Sequence, residues 1–197
     1  MVLPIYELRI SQDVNEDVEV SYTALVDKPA IEKDFLAFNE NKVEAKFAIQ
    51  DEDKRIISGP LMIADKLIYR SNDKLGEHYV KFSAETIKDI AIKYAKKGYQ
   101  SNVNLMHEPD LKVDGVVMFE SFLVDKERGI MPMQGFDDVA NGSWFGSFFV
   151  ENNEVWQFIK EGKIKGFSVE GIFEYEATKT SAEYLLSKLS KLLNLPI

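Results

Sequence analysis

The 197-residue chain has two histidines and no cysteine. Any mechanism that needs an imidazole must therefore use His78 or His107, and disulfides, thiolate metal sites and a Cys nucleophile are excluded. The remaining nucleophiles are Ser, Thr, Lys and carboxylates. His107 ends a short apolar stretch in Asn102-Val-Asn-Leu-Met-His-Glu-Pro-Asp110, beside acidic residues, a setting that suits a general base. Taken alone it better fits a loop histidine bonded to a neighbouring carboxylate. His78, in Gly76-Glu-His-Tyr-Val-Lys-Phe82, stands at the entry of a strand after a polar turn, which predicts a solvated side chain.

Gly166-Phe-Ser-Val-Glu-Gly171 shifts the balance toward chemistry. In an extended segment Phe167 and Val169 take one face while Ser168 and Glu170 take the other, so a small hydroxyl is displayed between two glycines that leave backbone access. The pattern resembles a nucleophile elbow loosely, since Glu170 stands in place of the second glycine and no long helix follows. Glu120 is the third candidate. Alternation along Gly115–Val124 sets it with Val116, Met118, Phe122 and Val124, where an unpaired carboxylate is costly. An imidazole beside it would remove that cost and be oriented by it during acyl transfer. A Lys or Arg on a neighbouring strand, or a face open to water, would also satisfy it. Asp125, Asp114 and Asp110 are alternative orienters with less reason to be buried.

The elements that must position these residues are mostly short strands. Ile5–Leu8 and Val18–Val26 read as an N-terminal arm of strands; 43–50, 55–63, 66–70 and 78–82 suit an antiparallel meander, with Gly59-Pro60 bending one strand or marking an edge. Ser83 caps a helix whose stripe is Ile87, Ile90, Ala91, Tyr94 and Ala95, stopped at Gly98. Strands follow near 113–124 and 143–150. Asn152 or Asn153 then caps a short helix with Val155, Phe158 and Ile159 on one face, and 164–176 returns to strand. Thr180-Ser-Ala-Glu183 is a capping box opening a last helix with a Leu185 to Leu193 stripe, which suits packing on the same domain or on a second copy. The expected division is a strand-built domain over 1–176, including the N-terminal arm, and an amphipathic helix over 177–197 packed on the same domain.

Composition narrows the partners. A net charge of −9 excludes a generic nucleic-acid binder acting through bulk positive charge, and hydrophobic residues at 45% suffice for one well-buried core. No apolar run reaches the ~18 to 20 residues that span a bilayer, and the opening residues lack the pattern of a signal peptide. A cytoplasmic protein with no membrane or nucleic-acid partner is expected.

Asn104-x-x-His107, Phe119-Glu-Ser-Phe122, Gly142-Ser-Trp144 and Gly166-Phe-Ser-Val-Glu-Gly171, in that order, resemble the phage prohead protease family, as does Ala24-Leu-Val-Asp-Lys-Pro-Ala30. The resemblance runs from about residue 18 to about residue 176. It implies an α+β fold similar to herpesvirus assemblin, a small, mostly antiparallel β-barrel ringed by helices. It also implies a serine endopeptidase, without cofactor or metal, acting on scaffold and major capsid proteins inside the prohead in the bacterial cytoplasm, with self-association possible. By the same resemblance Ser168 is the nucleophile and His107 its general base. The third position varies among such enzymes between His and acidic residues, and Glu120 is the choice here. Two competing readings are a non-catalytic capsid or scaffold component that kept the barrel, and a hydrolase using the carboxylate pair Glu120 and Glu170. The second lacks the aromatic platforms of a sugar groove, because Trp144 and Trp156 have ordinary core readings.

Overall fold

The structure is a computed structural model that describes residues 3–27, 48–51, 54–108 and 111–180. Among the described residues eleven strands lie in three sheets: β11(Glu174–Thr180), β1(Pro4–Arg9), β6(Gly76–Lys81) and β5(Ile68–Asn72) in one; β10(Gly166–Gly171), β2(Val20–Val26) and β7(Val103–Leu105) in the second; β3(Ala48–Asp51), β4(Ile56–Met62), β9(Trp144–Val150) and β8(Val116–Leu123) in the third. Pairing is antiparallel except for β1 with β6 and β2 with β7. Among the described residues there are two α-helices, α1(Ala84–Lys96) and α2(Asn153–Lys160). The sheets are open and do not close on one another, so the expected barrel ringed by helices is incorrect. The physical reason is visible in the second sheet: β2 is its central strand rather than part of a peripheral arm, and the sheet ends after three strands. The expected C-terminal helix with its Leu185 to Leu193 stripe falls outside the described residues, while β11 continues through Thr180, past the boundary expected at 176.

One core joins the sheets and helices. Leu8, Leu25, Ile57, Val80, Ile90 and Trp144 belong to a single buried cluster that also takes in Phe148 and Phe167, whose rings lie 4.7 Å apart between β9 and β10. Strand β4 carries Pro60 although it lies between β3 and β9. The conflict is resolved locally: among the described residues β3 pairs with residues 56–58, short of Pro60, and the register with β9 shifts between Pro60 and Met62.

Helix α1 begins where sequence rules place it, with the Ser83 hydroxyl accepting from the Thr86 N–H at 3.2 Å, and gives way to Gly98 at φ +71°. Its core face differs in one respect. Ala95 is exposed, and Lys93 is 3% exposed on the inner side. The Lys93 ammonium donates to the carbonyls of Ser11, Asp13 and Glu16 at 2.9, 2.6 and 2.9 Å, so three acceptors from the loop between β1 and β2 replace its water shell. In α2, Trp156 and not Phe158 joins Val155 and Ile159 in the core.

Beside Lys93 lies Glu19, also 3% exposed, whose carboxylate accepts from Lys97 at 2.7 and 2.8 Å and from the Tyr99 hydroxyl at 2.7 Å, with Lys93 at 3.4 Å. Burial by itself raises the carboxyl pKa, but the bonds from Lys97 and Tyr99 and the lysine charges outweigh it and hold the group below its ordinary value. A carboxyl whose folded pKa is depressed stabilises the fold at pH above its unfolded pKa, and that contribution is lost as pH falls through the folded value. Glu19→Gln is therefore expected to cost about 3 kcal/mol at neutral pH and to flatten the acid limb of stability. Denaturant titrations of both proteins between neutral and acidic pH measure it: equal stabilities at neutral pH, or parallel acid limbs, would refute the assignment.

Candidate active site

The second sheet aligns the site. Ser168 on β10 is registered with Ala24 on β2, and Ala24 with Asn104 on β7, so the three residues form a row on one face. Ala24 in the middle is fully buried and carries only a methyl group. Side chains from the two outer strands can therefore approach over it. Two residues along β10 on the same face is Glu170, and the Asn104 side-chain NH₂ donates to its Oε1 at 2.8 Å.

His107 reaches the same oxygen. Its Nδ1 lies 2.8 Å from Glu170 Oε1. An ionised carboxylate only accepts, so Nδ1 is the donor in this contact, and in the neutral imidazole that leaves the lone pair on Nε2. The backbone that delivers the ring is unusual, because Met106 and His107 both have positive φ, +54° and +61°. Consecutive left-handed residues of this size cost on the order of 1 to 3 kcal/mol each. They are held by bonds at both ends of the turn: the Met106 N–H donates to the Leu25 carbonyl at 3.0 Å, and the Glu108 N–H to the Leu105 carbonyl at 3.0 Å. The turn doubles the chain back along β7, where the Leu105 N–H donates to the Leu111 carbonyl at 3.1 Å and the Val113 N–H to the Val103 carbonyl at 2.8 Å, while the His107 ring reaches Glu170.

Ser168 is 5% exposed, and the structure records no hydrogen bond between it and His107 among the described residues. The serine also lines a mainly apolar groove of about 680 Å³, measured with its open mouth, which extends from β10 to the end of β4 and to β5 and β6. Past Glu170 the register of β10 against β2 shifts, and Gly171 packs on the main chain of Glu19, with the Ile172 N–H donating to the Glu19 carbonyl at 3.0 Å.

Glu120 lies elsewhere. It is on β8 in the third sheet, registered with Ser147, and it is exposed. Its expected burial rests on unbroken alternation from Val116 to Val124, and a bulge between Met118 and Glu120 breaks that alternation. His107 meets Glu170 instead. This partner was accessible to sequence reasoning, since Ser168 and Glu170 share a face in any extended segment. Asn104 was visible within Asn104-x-x-His107, but nothing in the sequence says that a residue from β7 crosses β2 to reach Glu170. Asp125 makes a local turn contact with the Arg128 N–H at 3.1 Å, the Asp114 carbonyl accepts from the Asn152 side chain, and Asp110 lies outside the described residues. His78 is not solvated. It is fully buried between Tyr6 and Tyr175, with ring centroids at 5.5 and 6.0 Å and Nδ1 2.8 Å from the Gly76 carbonyl, because β6 lies inside its sheet.

A serine on a strand, with an imidazole held through Nδ1 by a carboxylate two residues further along that strand, is the residue set of a serine hydrolase. A family model described as "Putative phage serine protease XkdF" matches residues 42–176, well over half of the chain, and the chain belongs to that phage serine protease family. Comparisons with curated proteins and with solved structures return no match, so the similarity to herpesvirus assemblin is without support. No described helix is long and apolar enough to cross a membrane.

The contact at Gly171 yields a prediction independent of chemistry. A Cβ built there would lie 2.0 Å from the Glu19 carbonyl oxygen, a backbone atom that cannot swing aside. Gly171→Ala is expected to destabilise the protein by about 2 kcal/mol or more, whereas Gly129→Ala, with nothing within 4 Å of its added carbon, should cost less although its φ of +79° adds a backbone strain that Gly171 lacks. Thermal denaturation of the two variants side by side tests the order.

Proposed function

We propose that the protein is a serine endopeptidase in which Ser168 is the nucleophile, His107 the general base and Glu170 the group that orients the imidazole, with Asn104 holding Glu170. The observation that carries this reading is the 2.8 Å contact of His107 Nδ1 with Glu170 on the strand that bears Ser168. In a chain of a phage serine protease family, that contact fixes the tautomer such a mechanism needs.

In the proposed reaction the Ser168 oxygen bonds to the carbonyl carbon of the scissile peptide as its proton passes to His107 Nε2. The imidazolium so formed is stabilised by Glu170 through Nδ1–H. His107 then returns the proton to the leaving amine as the C–N bond breaks, and a water deprotonated by the same nitrogen hydrolyses the acyl-serine. Substrate binding must bring the ring to contact range of Ser168, about 2.6 to 3.2 Å. The natural substrates we infer are scaffold and major capsid proteins of the phage head, cleaved during maturation inside the prohead. Membership of a phage protease family supports this, and so does the resemblance of the sequence motifs to those of prohead proteases.

Ser168→Ala should abolish cleavage of capsid or scaffold protein while leaving the thermal transition intact, and a fluorophosphonate should label Ser168 alone. Glu170→Gln should lower the rate by about 10² or more, whereas Glu120→Gln should leave it unchanged. Peptidase assays on the three variants decide the matter. Wild-type cleavage by Ser168→Ala removes the nucleophile assignment, and a loss at Glu120 with none at Glu170 reverses the orienter.

A further inference from the structure

The groove beside Ser168 has a charge pattern that the chemistry of peptide cleavage does not require. Most of its wall is apolar, including Leu61, Val80, Phe82 and Phe173, and two cations, Lys66 and Arg70, enter it; none of the described residues lining it is acidic. In a chain with 33 acidic and 24 basic residues, that selection runs against the overall composition. Arg70, on β5, is half-buried, and its recorded hydrogen bond goes to a neutral acceptor, the carbonyl of Tyr69, at 3.0 Å. No carboxylate pairs with it among the described residues. Burial pushes its guanidinium below the ordinary value, as expected for a cation that has lost water without gaining a counter-charge.

A guanidinium set in an apolar wall with most of its donors unused is poised to form a charge-assisted, two-pronged bond with a carboxylate. We propose that this groove is a specificity site that binds an acidic side chain, Glu or Asp, flanked by apolar residues in the polypeptide being cleaved, with Arg70 as its principal contact. The proposal rests on the peptidase reading for its position beside the nucleophile, but the recognition chemistry stands on the groove alone.

The test uses decapeptides with blocked termini and apolar sequence, carrying one Glu, Gln or Lys moved through successive positions, plus an all-apolar peptide with a free C-terminus. Binding is read by fluorescence anisotropy on the full-length Ser168→Ala protein, and cleavage by mass spectrometry on the wild type. Glu peptides should bind about tenfold or more tightly than their Gln counterparts, the return expected of a charge-assisted bond, and should be cut at a fixed distance from the Glu. Arg70→Gln should bring the Glu-to-Gln ratio close to one, and Arg70→Glu should turn the preference toward Lys. A ratio near one in the unaltered groove overturns the proposal and needs no Arg70 variant to be stable. A ratio that survives Arg70→Gln overturns the role of Arg70, and a preference shown only by the free C-terminus overturns the commitment to a side chain. Binding preference without cleavage or fluorophosphonate labelling would instead sink the peptidase reading and leave the groove standing, whereas cleavage blind to Glu would do the reverse.

Discussion

The fold around the site depends on one buried carboxylate. Glu19 stands just before β2 and is satisfied by Lys97 and Tyr99, with Lys93 beside it. These partners come from α1 and from the segment that leads on to β7, while Lys93 gathers the carbonyls of the loop between β1 and β2. The main chain of the same residue accepts from Ile172 and lies against Gly171, at the end of β10. A single position thus ties the start of the central strand of the second sheet to the helix, to the approach to β7 and to the strand that carries Ser168 and Glu170. A buried ion pair contributes little net stability, because desolvation offsets the attraction, but losing one partner leaves an uncompensated charge. Its effect is to admit one arrangement of these segments and penalise the others.

That constraint matters because the site spans strands distant in sequence. Ser168 and Glu170 come from β10, Asn104 from β7, His107 from the turn after β7, and β2 lies between them. A one-residue slip of β10 on β2 would carry Ser168 and Glu170 to the opposite face, away from Asn104 and His107. The bulge between Glu170 and Gly171 and the close contact at Glu19 fix the register at the end of the strand nearest the carboxylate. The two left-handed residues at Met106 and His107 then store local strain that the bonds to Leu25 and Leu105 sustain, so the imidazole is delivered by backbone geometry rather than by a flexible loop.

Much of this was legible locally. Ser83, Gly98 and Asn152 marked helix ends through capping chemistry, which acts within a few residues and so leaves a signature in the sequence. The shared face of Ser168 and Glu170 follows from the two-residue period of a strand. What escaped depends on contacts between segments far apart in the chain. Lys93 looks like a solvent-facing lysine on a helix until the β1–β2 loop folds over it, His78 looks like a turn histidine until Tyr6 and Tyr175 close on it, and Glu120 looks buried until a bulge turns it outward. The closed barrel failed for a related reason: strand count is readable, but whether the last strand meets the first is a property of twist and pairing across the whole sheet.

The electrostatics of the site and of its groove differ in kind. At Glu170 both recorded donors converge on one oxygen, and the side chain keeps 25% of its surface exposed, so the carboxylate is hydrogen-bonded within the protein and partly open to solvent. Among the described residues the hydrogen-bond partner recorded for Arg70 is a backbone carbonyl, within walls that are mostly apolar. An interaction completed within the protein holds a geometry, whereas one left incomplete in a dry wall is a source of selectivity, because a ligand that completes it recovers a bond that water supplies poorly there. Ser168 lies where the two meet, sharing a strand face with Glu170 and a wall with Arg70. In the proposed reaction a polypeptide seated in the groove is thereby brought to the serine by apolar contact and, where it carries a carboxylate, by charge, while the imidazole is held by Glu170 in a pair that the substrate need not disturb.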